Sequence, residues 1–342
     1  MRKIPSQLSA YTGLAIGFAL LLWAALRRKN RMNFWGRSVL ISGGSRGLGL
    51  VLARCFAREG ARVAILARDR AELERARLDL AERGAEVLAL VCDVADQEQV
   101  RSAVHQVISA YGRLDVLVNN AGVIQVGPLE HMSLEDFEEA MAVHHWGPLY
   151  AMLAAAPYMR QQGGGRILNI SSIGGGAAIP HLAPYVSSKF ALTGLSDVFR
   201  IELAKDNIRV TTVNPGLMRT GSHVNAYFKG DHRKEYAWFS ILGANPLVST
   251  SAESAARQIL EACRYGRPSL VITPQARLLI LANSLTPGLY SVAMRLFNRF
   301  LPGPAASQDG DGRRQGWDSQ SRISPSFLTH LSDRAVGMNN EN

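Results

Sequence analysis

Between residues 38 and 272 the chain alternates short apolar runs with amphipathic helical stretches, and that alternation restricts the fold more than any other feature. The apolar runs fall at 39–41, 62–67, 87–92, 114–118, 166–170, 208–213 and 269–272. Helical patterns lie between them at 46–58, 69–83, 96–111, 133–160, 184–204 and 251–264, with an irregular stretch at 216–248. Strands without a polar face need cover on both sides, and strand–helix–strand units supply it through a parallel sheet. The pattern predicts one α/β domain on a doubly wound parallel sheet. In such sheets ligands bind outside the carboxyl ends of the strands, so the residues just after each apolar run are the ones to inspect.

The two ends of the chain read differently. Residues 8–26 (LSAYTGLAIGFALLLWAAL) carry no charge and as a helix would span roughly 28 Å, close to the thickness of a bilayer's hydrocarbon core. Arg27, Arg28, Lys29 and Arg31 follow at once, in place of a small-residue cleavage site. Residues 1–31 therefore predict an uncleaved single-pass anchor with its basic flank. Only Arg2 and Lys3 precede the span, so the positive-inside rule places the body in the cytoplasm. These flanks and Arg37 supply seven of the net charge of +10, leaving +3 for the rest of the chain. With no basic stripe interleaved with aromatics, a nucleic-acid partner is not expected. Cys55, Cys92 and Cys263 are too few and too scattered for a disulfide framework or a metal site, and read as reduced core residues. Residues 274–302 are apolar but broken by Asn283, Pro287 and Gly288. They read as two short helices that cover a site, touch a membrane surface or pack on the body. Residues 303–342 hold few apolar side chains and read as a disordered tail.

The strand ends carry the chemistry. Ser42-Gly43-Gly44-Ser45-Arg46-Gly47-Leu48-Gly49 joins the first strand to the first helix. Glycines there permit a tight turn and let a pyrophosphate approach backbone N–H groups at a helix N-terminus. Tyr185 and Lys189 are four apart on a helical stretch, so they share a face. A phenol titrates near 10, and a nearby ammonium favours the phenolate, which suits an acid and its tuner. Asp93-Val94, Asn119-Asn120-Ala121-Gly122, Ser171-Ser172 and Pro215-Gly216 follow the third, fourth, fifth and sixth strands.

This ordered set resembles the classical short-chain dehydrogenase/reductase family over about residues 37–272, with Ser42 where the family usually has Thr. The resemblance implies a Rossmann-type domain (37–273) and a dehydrogenase or reductase that interconverts C=O and CH–OH with a nicotinamide cofactor. It implies that Tyr185 is the general acid/base, that Lys189 also binds the nicotinamide ribose, and that Ser172 holds the substrate oxygen while Ser171 points away. Gly43, Ser45, Arg46, Gly47, Leu48 and Gly49 would cradle the cofactor. Asp93 and Val94 would meet the adenine, and Asn120, Ala121 and Gly122 the ribose. Pro215, Gly216 and Thr220 would lie toward the carboxamide. Family enzymes pair through helices matching 133–160 and 184–204, which implies a homodimer or homotetramer.

Three features refine this. The second strand ends Ala67-Arg68-Asp69, and Arg68 with Arg46 offers two guanidiniums for a 2′-phosphate, favouring NADP(H) over NAD(H). The alternative is that Arg68 faces solvent and Asp69 merely caps the next helix. His144 stands where the family has a catalytic Asn that holds a water in the proton path. A histidine there can hold water, titrate near neutrality or slow proton delivery. Tyr227, Phe228, Tyr236, Trp238, Phe239 and Ile241 fall in the expected substrate loop. With an anchor, they suggest a lipophilic ketone or alcohol. The competing reading is a weakly catalytic NADP(H) sensor of the same fold. Sugar-nucleotide epimerisation is disfavoured by the glycine spacing.

Overall fold

The protein's structure is a computed structural model that describes residues 31–305, 308–321 and 323–342. The expected span at 8–26 lies outside the described residues, and among those described no helix is long and apolar enough to cross a membrane.

The predicted alternation is present. Seven parallel strands run β1 (Ser38–Ser42), β2 (Arg62–Ala67), β3 (Val87–Val91), β4 (Val116–Asn119), β5 (Gly165–Ile170), β6 (Ile208–Pro215) and β7 (Ser269–Ile272). They lie side by side in the order β7-β6-β5-β4-β1-β2-β3. The chain winds outward from β1 to β3 and returns to β4 on the other side of β1, so a crevice opens beyond the ends of β1 and β4. Helices α1 (Gly47–Arg58) and α2 (Arg70–Glu82) contribute to the core on one face of the sheet. Helix α3 (Gln97–Tyr111) helps cover the other. The helix ends follow the local sequence: Asp69 caps α2 through the Glu72 N–H at 2.8 Å, and Asp96 caps α3 through Glu98 and Gln99.

The stretch read as one helix over 133–160 is two, α4 (Leu134–Met141) and α5 (Gly147–Gln161), joined by a π-helical turn at Ala142–Trp146. Pro148 explains the break, since it has no N–H for the carbonyl four residues back and the hydrogen-bond register must shift. Helix α6 (Ala183–Glu202) carries the Tyr–Lys pair. The stretch expected to be irregular, 216–248, contains α7 (His232–Ala244), whose Tyr236, Ser240 and Ala244 are buried at helical spacing. Helix α8 (Ala252–Tyr265) completes the first face, and α9 (Pro274–Leu285) and α10 (Pro287–Asn298) form the two short helices anticipated after it.

The tail differs most from expectation. Rather than being structureless, its described residues run back across the body and end in α11 (His330–Met338). Arg314–Gln315 pairs antiparallel with Tyr227–Phe228, which also pairs with Gln125–Val126. Arg313 reaches Asp136 at 3.1 Å and Glu139 at 2.5 Å. Val336 sits directly against Gly221, whose φ of +92° and crowded Cβ position both require glycine. Composition missed this because backbone pairing and ion pairs, not a periodic apolar face, hold the segment.

Phe228 is fully buried among Tyr236 and Phe239 under that small sheet. Phe228→Ala is expected to lower the unfolding free energy by about 3–5 kcal/mol in denaturant titrations. A loss below about 1 kcal/mol would contradict its place in the core.

Candidate active site

The crevice at the β1/β4 switch is held open by a short staple. The Ser42 hydroxyl accepts from the backbone N–H groups of Asn120 (3.0 Å) and Ala121 (3.1 Å). The Asn120 side-chain amide donates back to the carbonyls of Ser42 (3.1 Å) and Gly43 (3.0 Å). Ser42 thus does with its hydroxyl what the departure from Thr had to preserve, and Asn120 is a clamp on the glycine loop. Gly49 is required beneath it, because a Cβ there would lie 1.9 Å from the Gly43 carbonyl oxygen. Arg46, at the N-cap of α1, makes no side-chain cap, so the helix's first N–H groups face the crevice. A helix N-terminus without a side-chain cap of its own, set behind a glycine loop, fits a dinucleotide's phosphates.

The cleft beginning here measures about 630 Å³ and reaches Tyr185. Every residue expected to contact cofactor or substrate oxygen lines it, except Gly49, which lies under the loop. Arg68 is exposed at the rim and makes no ion pair among the described residues. Asp69 uses its carboxylate as the α2 cap. Arg46 is held by Glu72 at 2.8 Å, and Glu72 also accepts from the Ser45 hydroxyl at 3.2 Å.

At the far end, Ser172, Tyr185 and Lys189 converge. Ser172 Oγ accepts from the Gly174 N–H at 3.1 Å, so its own proton remains free to donate. Ser171 turns the opposite way, to the Lys189 carbonyl (3.2 Å) and Thr193 (2.9 Å). Lys189 Nζ donates to the Ile170 carbonyl at 2.9 Å and lies 5.6 Å from the centre of the Tyr185 ring. Burial pushes the Lys189 ammonium down to about 7. Burial also raises Tyr185, against a lowering by its hydrogen bond with Ser172. The expected drop of the phenol toward neutrality is therefore not produced by Lys189 in this structure. Burial is the larger influence on the phenol, and the Ser172 bond opposes it only in part.

His144 corrects a second expectation. It is 1% exposed in the π-helical turn, edge-on to Tyr185 with ring centres 5.4 Å apart. Its Nε2 accepts from the Val123 N–H at 3.1 Å. In the neutral ring the proton then sits on Nδ1, which donates to Ser188 Oγ at 2.8 Å. Burial, with Lys189 nearby, holds its pKa well below 6.5. Both ring nitrogens are already bonded to protein, so His144 neither titrates near neutrality nor has an atom left for a relay water.

The sequence reading missed other lining residues: Met218, Ser222, Asn225 and Tyr227 after β6, and Gln315, Trp317, Glu341 and Asn342 from the tail. Tyr227 was noted as one aromatic among six. Of the others noted, Phe228 and Tyr236 are core. The tail residues carried no local signal, since their place depends on contacts with distant parts of the chain, such as Gln315 with Tyr227 and Glu341 with Asn225.

A doubly wound sheet whose switch-point cleft runs from a glycine loop to a Ser, Tyr and Lys defines a dinucleotide-dependent oxidoreductase. Comparison with known proteins narrows this. The short chain dehydrogenase family model matches residues 37–228. The chain is 33% identical over 281 residues to the dehydrogenase/reductase SDR family protein 7-like of Anopheles gambiae, covering 80% of this chain and 87% of that one. It is 35% identical to D-threitol dehydrogenase of Mycolicibacterium smegmatis over 54% of this chain and 71% of that one. A Sinorhizobium meliloti structure, described as a candidate short-chain alcohol dehydrogenase, superposes with TM-score 0.64 at 28% identity, over 72% of this chain and all of that one. This chain belongs to the short-chain dehydrogenase family and is a dehydrogenase/reductase that uses an NAD(P) cofactor.

His144 sets a stability dependence whose sign follows from its lowered pKa. As pH falls below 6.5 the unfolded chain takes up this proton first, so the fold loses stability. Urea titrations between about pH 7.5 and 5 should show a shallower loss in His144→Asn than in the unaltered chain. Equal slopes would mean that His144 charges in the folded state.

Proposed function

We propose that this protein is an NADP(H)-dependent reductase or dehydrogenase acting on a lipophilic carbonyl or alcohol at a membrane surface. The observation that carries the cofactor choice is the end of β2. Arg68 stands there unpaired and exposed while Asp69 is engaged as a helix cap. The position where an acid would bind a ribose 2′-OH thus offers a guanidinium, with Arg46 across the loop.

The residues then divide the work. Gly43, Ser45, Gly47 and Leu48 present backbone to the diphosphate. Asp93 and Val94 flank the adenine, Ala121 and Gly122 pass the ribose, and Pro215, Gly216 and Thr220 hold the nicotinamide end. A bound nicotinamide dinucleotide supplies or accepts the hydride. In reduction the carbonyl carbon receives that hydride and the carbonyl oxygen takes the Tyr185 phenolic proton. Ser172 donates its free O–H to the same oxygen, and Lys189, fixed on the Ile170 carbonyl, directs its remaining N–H groups toward the ribose hydroxyls. In oxidation the same groups run in reverse.

Several observations support the lipophilic substrate and the membrane. The substrate end of the cleft is lined by Val123, Ile124, Tyr227 and Trp317. Helices α9 and α10 leave Leu278, Leu281, Leu285, Leu289 and Leu296 exposed, with Phe300 just beyond. Residues 275–301 include Arg277, Arg295 and Arg299 and no acid, which suits an anionic bilayer surface. The same hairpin grips the loop after Ser172, through Asn283 to the Gly176 carbonyl (3.1 Å) and Tyr290 to the Ala178 carbonyl (2.8 Å). An apolar substrate leaving the bilayer would emerge beside the site. With residues 8–26 as the anchor, the body would face the cytoplasm. Leu153, Phe190, Val198 and Ile201 lie exposed on α5 and α6, which favours pairing of two or four copies through those helices. The sensor reading draws on one observation, the absence of a free nitrogen on His144 for a proton relay.

The test is cofactor consumption with a panel of long-chain and polycyclic ketones, using NADPH and NADH. Turnover is expected with NADPH, falling about 10²–10⁴-fold in Tyr185→Phe. Arg68→Glu is expected to weaken the preference for NADPH over NADH by about tenfold or more. NADPH binding with no turnover on any ketone, or on the alcohols with NADP⁺, would favour the sensor.

A further inference from the structure

The last four residues of the chain lie on the same backbone that a dinucleotide's phosphates require. The Gly47 N–H, at the open N-terminus of α1, donates to the Asn339 carbonyl at 2.9 Å. The Glu341 carboxylate stands over Gly47, 2.6 Å from where a Cβ would be, and 3.6 Å from Arg46 Nε. That carboxylate is almost completely buried, and the Asn225 amide donates to it at 2.8 Å. A carboxyl group therefore already sits at the positive end of α1.

The tail also bridges the two lips of the cleft. On one side, the Asn340 amide donates to the carbonyls of Ser45 (2.8 Å) and Glu72 (3.0 Å), and Arg75 holds the Asn340 side chain at 2.8 Å. On the other, the Asn339 amide donates to the Thr220 carbonyl at 3.0 Å. Four residues assigned above to the cofactor, Ser45, Arg46, Gly47 and Thr220, are thus engaged by residues 339–341.

We propose that residues 339–342 are a built-in occupant of the phosphate end of the cofactor cleft, displaced when the dinucleotide binds. The Glu341 carboxyl and a phosphate cannot occupy the same space over Gly47, and the Gly47 N–H cannot serve the Asn339 carbonyl and a phosphate oxygen equally. The segment before it keeps the tail at high local concentration. Arg313 is bound to Asp136 and Glu139, the strand at Arg314–Gln315 is paired, and α11 rests on Gly221. Departure is therefore local and reversible. It also releases Asn225 and Thr220 from their bonds to Glu341 and Asn339. Burial pushes the Glu341 carboxyl up to about 7 against the pull of Arg46, so near neutrality its charge is only partly developed and its hold on the helix terminus can yield to a phosphate.

The proposal rests on the reading that this cleft takes a dinucleotide. Binding of NADPH and NADH is measured by calorimetry for the full chain, for a chain ending at Met338, and for Glu341→Ala, with circular dichroism as the check on folding. Binding is reduced by the fraction of chains whose cleft is open, so removal of the tail is expected to tighten the NADPH dissociation constant about tenfold or more. Glu341→Ala should tighten it by a smaller factor. A peptide of the last eight residues should compete with NADPH on the shortened chain, and saturating NADPH should speed hydrogen exchange at 339–342 in the full chain. An unchanged dissociation constant, or a weaker one on truncation, overturns the proposal while leaving the dinucleotide reading intact. No binding of either dinucleotide to any of the three chains overturns both.

Discussion

The staple between the ends of β1 and β4 is the constraint on which the rest of the site depends. A doubly wound sheet opens a crevice where its winding reverses, but the strands do not fix the loops that leave it. Here the Ser42 hydroxyl and the Asn120 amide make four bonds across the two strand ends, at 3.0–3.1 Å. They set the glycine loop against the Asn120–Gly122 turn with no side chain between, since a Cβ on Gly43 would lie 2.8 Å from the Ala121 Cα. The N-terminus of α1 is thereby aimed along the cleft toward Tyr185. Each of these groups is satisfied by the other strand's loop, so the geometry is held without any ligand.

Burial governs the other end of the cleft. Lys189 and His144 are each less than 5% exposed, and both are pushed toward their neutral forms. His144 fastens α6 to the strand-end turn at Val123 through its two nitrogens and forms a wall beside the Tyr185 ring. Lys189 is held on the Ile170 carbonyl at the end of β5. Lys189 and His144 are buried and tightly positioned, and burial leaves the Tyr185 phenol harder to ionise. At Tyr185 the Ser172 hydrogen bond is the influence that works against burial.

Much of this was legible in the sequence, for identifiable reasons. Strand ends near Ile41, Cys92, Val118, Ile170 and Val213 follow from apolar run length and fall within two residues of those observed, and the motifs beside them follow from contiguous residues. Tyr185 and Lys189 share a face because helical periodicity requires it. What misled was local resemblance. His144 looked like a titratable relay because its bonds to Val123 and Ser188 come from elsewhere in the chain. Pro148 broke a helix that apolar spacing ran straight through. The tail looked disordered because its order comes from Arg313 finding buried Asp136 and from a two-residue strand finding Tyr227–Phe228.

The sequence by itself determined the doubly wound sheet and the place of the cleft, because each depends on periodicity or spacing within a few tens of residues, and its family resemblance pointed to Ser172, Tyr185 and Lys189. Only the tertiary structure decided the protonation of His144, the competition between burial and charge at Tyr185, and the seating of Glu341 over Gly47. Those outcomes depend on desolvation and on contacts between segments as much as 294 residues apart, for which no local pattern codes.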